Sequence, residues 1–143
     1  MYAIREMRAE DYHALVSLWE ASGLPYRPDG RDRLEAISRE LEGPCSVFLV
    51  AEVDGKVVAG VLGTHDGRKG WINRLVVAPK YQRKGIGKAL VWEIEERLDA
   101  MGIEIIACQV EDWNRESMAF FKRIGYCHHT DVHYLSKRKH ADV

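Results

Sequence analysis

The chain has 143 residues, of which 46% are hydrophobic and 30% are charged, and its formal net charge is −1. This length and composition predict one domain, residues 1–143, with enough apolar side chains to form a core. The near-neutral charge balance argues against a nucleic-acid partner, and no apolar run is long enough to predict a membrane span. With no signal-peptide pattern and no paired cysteine spacing, we expect a cytoplasmic protein, either a monomer or a homodimer.

The first half of the chain predicts one strand, two helices and a hairpin. Apolar residues at helical spacing mark the two helices, and Asp54-Gly55 between two β-rich runs is a strong hairpin signal. The predicted elements are a strand at Tyr2–Arg5, helices at Ala9–Ala21 and Arg31–Glu42, and strands at Ser46–Val53 and Lys56–Thr64.

The second half predicts alternating strands and helices. In order these are Trp71–Val77, the helix Gly85–Met101, the strand Glu104–Val110, the helix Arg115–Ile124 and a last strand or hairpin at Cys127–Leu135. Strands joined by turns and then strands joined by helices predict an α/β (α+β) fold. Its mixed sheet is antiparallel in the middle and flanked by about four helices.

One segment between a predicted strand and a predicted helix has the composition of an anion site. It reads Gln82-Arg83-Lys84-Gly85-Ile86-Gly87-Lys88. Its glycines allow close approach to the backbone, and a helix start has unpaired N–H groups, here beside three basic side chains. These features predict a phosphate or pyrophosphate site. The spacing fits neither a P-loop nor a dinucleotide fingerprint, and an ordinary helix start with surface charges is the alternative.

A second motif lies downstream, and the two together resemble the GNAT superfamily of N-acetyltransferases. The first motif matches the family's Q/R-x-x-G-x-G/A segment. The second, Asn114-Arg-Glu-Ser117-Met-Ala-Phe-Phe121-Lys-Arg-Ile-Gly125-Tyr126, is similar to N-x-x-A-x-x-x-Y-x-x-x-G-F. The resemblance implies a GNAT fold in which the fourth and fifth strands, Trp71–Val77 and Glu104–Val110, splay apart around the pantetheine arm of acetyl-CoA.

The resemblance also implies roles for individual residues. Backbone groups of Leu75, Val76 and Val77 would hold the pantetheine and acetyl ends, and the segment from Gln82 through Arg83, Lys84, Gly85, Ile86 and Gly87 to Lys88 would hold the pyrophosphate. Asn114 would contact the pantetheine arm, whereas its position alone favours a helix N-cap.

The residues at the positions of the family's proton-transfer groups match the family pattern less well. Phe121 stands where the family often has the tyrosine that protonates the departing thiolate, and Gln109 stands where some relatives have a glutamate base. Glu111, Asp112 and His65 are the candidate bases, each with the alternative of a solvated residue at a strand end.

Two further groups of residues have competing interpretations. Cys127, His129, Asp131 and His133 alternate along the last predicted strand, and they suit either a zinc site or, as we favour, a polar solvent face. We therefore expect no metal. Trp19, Tyr26, Arg27 and Arg31 border the loop that shapes the acceptor site in the family, where the arginines would meet a substrate carboxylate; surface loop charge is the alternative.

The sequence thus predicts an N-acetyltransferase that moves an acetyl group from acetyl-CoA to an amine acceptor. The alternative is a non-catalytic acyl-CoA-binding or sensor domain of the same fold, because Phe121 and Gln109 both lack the expected proton-transfer group.

Overall fold

The computed structural model, which describes residues 1–143, contains five strands and four α-helices. The strands are β1 (Ala3–Glu6), β2 (Ser46–Val53), β3 (Lys56–His65), β4 (Lys69–Val77) and β5 (Ile105–Cys108). The helices are α1 (Tyr12–Ser22), α2 (Leu34–Glu42), α3 (Ile86–Ala100) and α4 (Arg115–Arg123), with short 3-10 turns at Ala9–Asp11 and Pro79–Tyr81. No helix combines the length and apolar character needed to cross a bilayer.

The strands form one mixed sheet in the order β1-β2-β3-β4-β5. Neighbouring strands are antiparallel from β1 to β4, whereas β4 and β5 are parallel. The predicted hairpin forms at Asp54-Gly55, where both residues have positive φ, as a tight two-residue turn requires. The predicted fold class, a mixed sheet flanked by four helices, is confirmed.

Each face of the sheet buries its own apolar cluster. On one face, α3 and α4 cover β-strand side chains such as Leu49 and Val61. On the other, α1 and α2 cover Phe48 and Val50, with Trp19 at the centre of the cluster. Because successive strand residues point to opposite faces, β2 contributes to both clusters and is buried on both sides.

Strand β4 carries a bulge and then separates from β5. In the register with β3, Leu62 faces Asn73 and Gly60 faces Val76, so β4 has one extra residue between them. The ladder with β5 ends at the pair Ile72–Cys108, while β4 continues to Val77. The fourth and fifth strands therefore splay apart, as the family resemblance implied.

The predicted last strand, Cys127–Leu135, is wrong. These residues have no regular secondary structure and are exposed. Either face of such a strand would consist mainly of polar side chains, so pairing would bury little apolar surface. No group of three or more His, Cys, Asp or Glu side chains is placed to hold a metal ion.

Cys45 and Cys108 differ in burial. Cys45 precedes β2 and is exposed, whereas Cys108 at the end of β5 is partly buried. Cys45 lies in the short connection between α2 and β2. All three cysteines are free thiols.

Candidate active site

A cleft of about 330 Å³ opens where β4 and β5 separate. One wall of the cleft is formed by β3 and β4, and another by β5 and the segment that follows it. Helix α4, and helix α2 together with the loop before it, form the other two walls. The residues that line the cleft include Arg31, Asp32, Glu40, Asn73, Arg74, Leu75, Cys108, Gln109, Glu111, Asn114, Ser117 and Phe121.

The start of α3 lies beyond the end of β4 and has the features of an anion site. Gly85 is the N-cap residue with φ +83°, and no side chain caps the helix. The first N–H groups of α3 therefore have no side-chain acceptor. Arg83, Lys84 and Lys88 are exposed around this helix end.

The loop before α3 is tied back to β4. Gln82 donates from Nε2 to the carbonyl oxygen of Val77 at 3.0 Å. A Cβ on Gly87 would lie 3.6 Å from both Val77 Cγ2 and Phe120 Cζ, which is an ordinary contact distance. The start of α3, the end of β4 and α4 thus meet at one point, and β4 connects that point to the cleft.

The three β4 residues predicted to bind through their backbone have different surroundings. Leu75 lines the cleft, and it has no partner in the register with either β3 or β5. Val76 is buried in the cluster with Phe48, and Val77 packs against the α3 cluster. Only Leu75 is therefore at the cleft itself.

Asn114 both caps α4 and lines the cleft. Its Oδ1 accepts a hydrogen bond from the Ser117 backbone N–H at 3.1 Å, which satisfies one unpaired donor of the helix start. Its Nδ2 group donates to no other protein atom. The two interpretations of Asn114 are therefore compatible, because they use different atoms of the amide.

Phe121 lines the cleft and is buried, with 7% of its surface exposed. Its ring packs edge-on against Phe120 and Tyr126, with centroids 5.1 and 5.2 Å away. No tyrosine lines the cleft. The Tyr126 hydroxyl instead donates to Glu95 on α3 at 2.6 Å, and burial followed by this bond raises the pKa of Tyr126 above its ordinary value.

The structure separates the three candidate bases. Glu111 and Asp112 are both exposed, but only Glu111 lines the cleft. His65 is not at the cleft: its Nδ1 accepts from the Gly67 N–H at 3.1 Å, and its Nε2 lies 3.1 Å from the Pro44 carbonyl oxygen. The two ring nitrogens of His65 thus join the turn between β3 and β4 to the connection between α2 and β2.

The fold agrees with comparisons to known proteins. The model of the acetyltransferase (GNAT) family matches residues 2–126. The chain belongs to the GNAT acetyltransferase family.

Solved structures share the GNAT fold of this chain at low sequence identity. AAC(6')-Iy in complex with the bisubstrate analogue CoA-S-monomethyl-acetylneamine is 18% identical, with a TM-score of 0.79 over 96% of this chain and 99% of that chain. The PaiA N-acetyltransferase from Thermoplasma acidophilum, in complex with coenzyme A, is 22% identical, with a TM-score of 0.76 over 87% and 89%. An aminoglycoside acetyltransferase from an uncultured soil metagenomic sample, in complex with sisomicin, is 21% identical, with a TM-score of 0.78 over 96% and 97%. These likenesses concern the fold.

Sequence reasoning missed Glu40 as a residue of the cleft in this GNAT chain. Burial, and then the negative charge of Asp32, raise the pKa of the Glu40 carboxyl. The helical pattern contains a signal for it, because Glu40 follows the buried Ile37 by three residues and therefore shares its side of α2.

Sequence reasoning also missed the pair of Arg74 and Asp32. Arg74 follows Asn73 within β4, and a polar side chain in a strand does not by itself mark a bulge. Nothing in the sequence connects Arg74 to Asp32, which lies 42 positions earlier in a loop. Of the residues predicted around this loop, Arg31 lines the cleft and Trp19 is fully buried beneath it.

Cys108 is a half-buried thiol in the cleft wall. Burial raises its pKa to about 11. At neutral pH the group is therefore a thiol and not a thiolate, and the thiolate is the nucleophilic form.

Proposed function

We propose that this chain is an N-acetyltransferase that moves the acetyl group of acetyl-CoA directly to a primary amine of a small molecule or protein, in one ternary complex. The observation that carries the proposal is the cleft between β4 and β5, which β4 connects to the exposed start of α3. Acetyl-CoA supplies an activated thioester. The chain's own residues have to hold it, admit the amine and exclude water.

The cofactor side of the proposal rests on donors without protein partners. The N–H groups at the start of α3, with Arg83, Lys84 and Lys88 beside them, suit a pyrophosphate. The Nδ2 group of Asn114 suits a carbonyl of the pantetheine arm. The bulge leaves Leu75 without a strand partner, so its backbone groups are available to the acyl end.

Glu111 is the residue we propose to accept the amine proton, directly or through water. An amine with an ordinary pKa of about 10.4 is protonated at neutral pH and has to lose a proton before it attacks. Glu111 lines the cleft, and Asp112 follows it at the rim as the second candidate. His65 is not part of this proposal, because backbone groups occupy both of its ring nitrogens.

Departure of the thiolate needs no dedicated acid in this proposal. A thiol pKa of about 8.5 makes a thiolate a tolerable leaving group, whereas a general acid contributes about 10²–10⁴-fold to a rate. Phe121 would then keep the acyl end dry. The protonated state of Cys108 fits direct transfer, because a cleft without a thiolate has no ready acceptor for an acyl-enzyme.

The acceptor side of the cleft favours a cationic amine. Glu40 and Glu111 are carboxylates without a basic partner in the protein, whereas Asp32 is paired with Arg74. Two basic side chains line the cleft, Arg31 and Arg74. Because Arg74 is paired with Asp32, Arg31 is the one that would meet a carboxylate on the substrate. Similar folds include an aminoglycoside acetyltransferase in complex with sisomicin, which makes aminoglycosides, diamines and lysine peptides the first amines to test.

The experiment that tests the proposal is release of free thiol from acetyl-CoA against this amine panel, with each product identified by mass. We expect amine-dependent thiol release and an acetylated amine. Glu111→Gln should lower kcat at neutral pH and recover at high pH, where the amine is already neutral. Glu116→Gln, an exposed carboxylate on α4 outside the cleft, is the matched control.

A non-catalytic acyl-CoA sensor is the second candidate function. It is favoured by Phe121 and Gln109, which line the cleft where the family resemblance expects proton-transfer groups. A protein that binds acetyl-CoA but releases no thiol with any amine of the panel would be a sensor and not an enzyme.

A further inference from the structure

The bulge of β4 holds one residue in an unusual backbone conformation. Arg74 has φ +53°, in the left-handed region that residues other than glycine seldom occupy. Such a conformation persists where the surroundings enforce it, and it occurs preferentially at functional sites. Arg74 lines the cleft, so the strain lies at the candidate site.

The Arg74 side chain is fixed by contacts with the loop between α1 and α2. Its Nη2 lies 2.6 Å from Asp32 Oδ2, its Nε donates to Asp32 Oδ1 at 3.3 Å, and its Nη1 donates to the Pro25 carbonyl oxygen. The guanidinium also lies 5.5 Å from the centre of the Trp19 ring. The Arg74 and Asp32 side chains are only 12% and 6% exposed, so water screens this ion pair weakly.

Asp32 in turn holds the loop together. Its Oδ2 accepts a hydrogen bond from the Arg27 backbone N–H at 2.6 Å, and its carbonyl oxygen accepts one from the Tyr12 hydroxyl at 2.7 Å. One buried carboxylate thus closes the segment from Arg27 to Asp32 and connects it to β4. Pro25, Arg31 and Asp32 form one wall of the cleft, and Arg74 and Leu75 form the facing strand.

We propose that Asp32 and Arg74 are a positioning pair that holds the loop of residues 23–33 against the β4 bulge, and so sets where the acceptor amine sits relative to the strand that carries the acyl group. The proposal rests on the proposed function. It assigns the pair to the acceptor and not to the cofactor, because the bonds of Arg74 reach the acceptor loop and leave the start of α3 untouched.

Three variants distinguish the effect of the Asp32–Arg74 ion pair from the effect of the bulge backbone. Arg74→Gly removes the side chain while accommodating the positive φ. It leaves Asp32 buried without its partner, so the double variant Arg74→Gly/Asp32→Asn removes both charges at once and protects the fold. Arg74→Lys keeps the charge but loses the two-point contact and tests rescue. The matched control is Arg5→Ala/Asp11→Asn, which removes another two-point Arg–Asp pair, with Arg5 nitrogens 2.8 and 2.9 Å from Asp11, away from the cleft.

The kinetic test compares the effect of each variant on kcat/KM for the amine with its effect on the Kd for acetyl-CoA. In the double variant we expect kcat/KM for the amine to fall by about 10- to 100-fold, since a small misplacement of a reactant has effects of that order. The Kd for acetyl-CoA, measured by calorimetry, should change by less than about twofold, because the bonds that are removed do not reach the start of α3, where the pyrophosphate is proposed to bind. Arg74→Lys should lie between wild type and the double variant. Wild-type kcat/KM in the folded double variant, or an equal loss of acetyl-CoA affinity, would overturn the proposal.

Hydrogen exchange tests the pair without requiring turnover. In the double variant, amides of residues 24–33 should exchange faster than in wild type, while those of α3 should not, and the control should leave both unchanged. If the wild type acetylates no amine, the proposed function fails but this exchange result still decides the positioning role. Unchanged exchange in residues 24–33 would overturn it.

Discussion

At the scale of single residues, Asn114 uses only one end of its side-chain amide within the protein. Its Oδ1 caps α4 through the Ser117 N–H, and its Nδ2 faces a cleft with no protein acceptor. A cap and a ligand contact are therefore separable by substitution, because aspartate keeps the acceptor and loses the donor.

Asn114→Asp is accordingly expected to keep the melting temperature and weaken acetyl-CoA binding. The lost hydrogen bond corresponds to about 0.5–1.5 kcal/mol of binding free energy. Asn114→Ala should weaken binding and also lower the free energy of unfolding by about 0.5–2 kcal/mol, the usual effect of losing an N-cap. Calorimetry and thermal melts measure both. Unchanged acetyl-CoA affinity in Asn114→Asp would reduce Asn114 to a cap.

Phe121 distinguishes an enzyme from a sensor. Because a thiolate leaves readily, Phe121→Tyr should change kcat by less than about tenfold. Phe121→Ala should instead raise KM and lower the free energy of unfolding by about 3–5 kcal/mol, since it empties a buried ring position. Turnover that appears only in Phe121→Tyr would support a binding domain that lacks its acid.

At the scale of secondary structure elements, apolar periodicity made β2, β3 and α3 predictable to within a residue or two, because each of them buries a regular set of side chains. The last predicted strand failed because its alternation was polar on both faces. The bulge at Arg74 and its bond to Asp32 were unpredictable for a different reason. They depend on a contact between residues far apart in the chain, and local pattern carries no information about such a contact.

The first turn of α3 offers a test of the anion site. Gly87→Glu places a negative charge where the pyrophosphate is proposed to bind, while an acidic residue in the first turn of a helix is itself favourable. We expect acetyl-CoA binding to be lost and the melting temperature to be largely kept. Gly87→Ala is the control, because a Cβ there meets Phe120 and Val77 at an ordinary 3.6 Å. Equal affinity in Gly87→Glu and Gly87→Ala would place the anion site elsewhere.

The exposed end of α2 gives a pH-dependent prediction. Burial and the charge of Asp32 raise the pKa of Glu40, so the folded state binds this proton more tightly than the unfolded chain does. The ionised carboxylate therefore destabilises the fold at neutral pH, and the effect vanishes below the ordinary glutamate pKa of 4.5. Glu40→Gln should raise the melting temperature at pH 7 and converge with wild type as the pH falls below 4.5.

Glu42→Gln is the control for this experiment. Glu42 lies in the same last turn of α2 but does not line the cleft, so its substitution removes the same unfavourable helix-end charge at a position outside the cleft. A larger gain in melting temperature for Glu42→Gln than for Glu40→Gln would contradict the origin assigned to the pKa shift.

At the scale of the whole molecule, β4 organises the candidate site. Its end meets the start of α3, its bulge faces the cleft, and the Asp32–Arg74 pair joins it to the loop that we propose as the acceptor wall. The sequence motifs pointed to the glycine segment and Asn114, the two ends of this proposed arrangement. They did not reveal the acceptor wall, because Glu40, Asp32 and Arg74 belong to no local motif and converge only in the folded chain.

The most direct test of the account is an NMR titration of the amide resonances with acetyl-CoA. If acetyl-CoA lies along β4 from the start of α3 to the cleft, the largest shift changes should fall on the backbone amides of Leu75–Val77 and Arg83–Lys88 and on the Asn114 side chain. The amides of His65 and of the turn that follows it should be unaffected. Shift changes centred away from β4 and α3, or no saturable changes, would contradict the account.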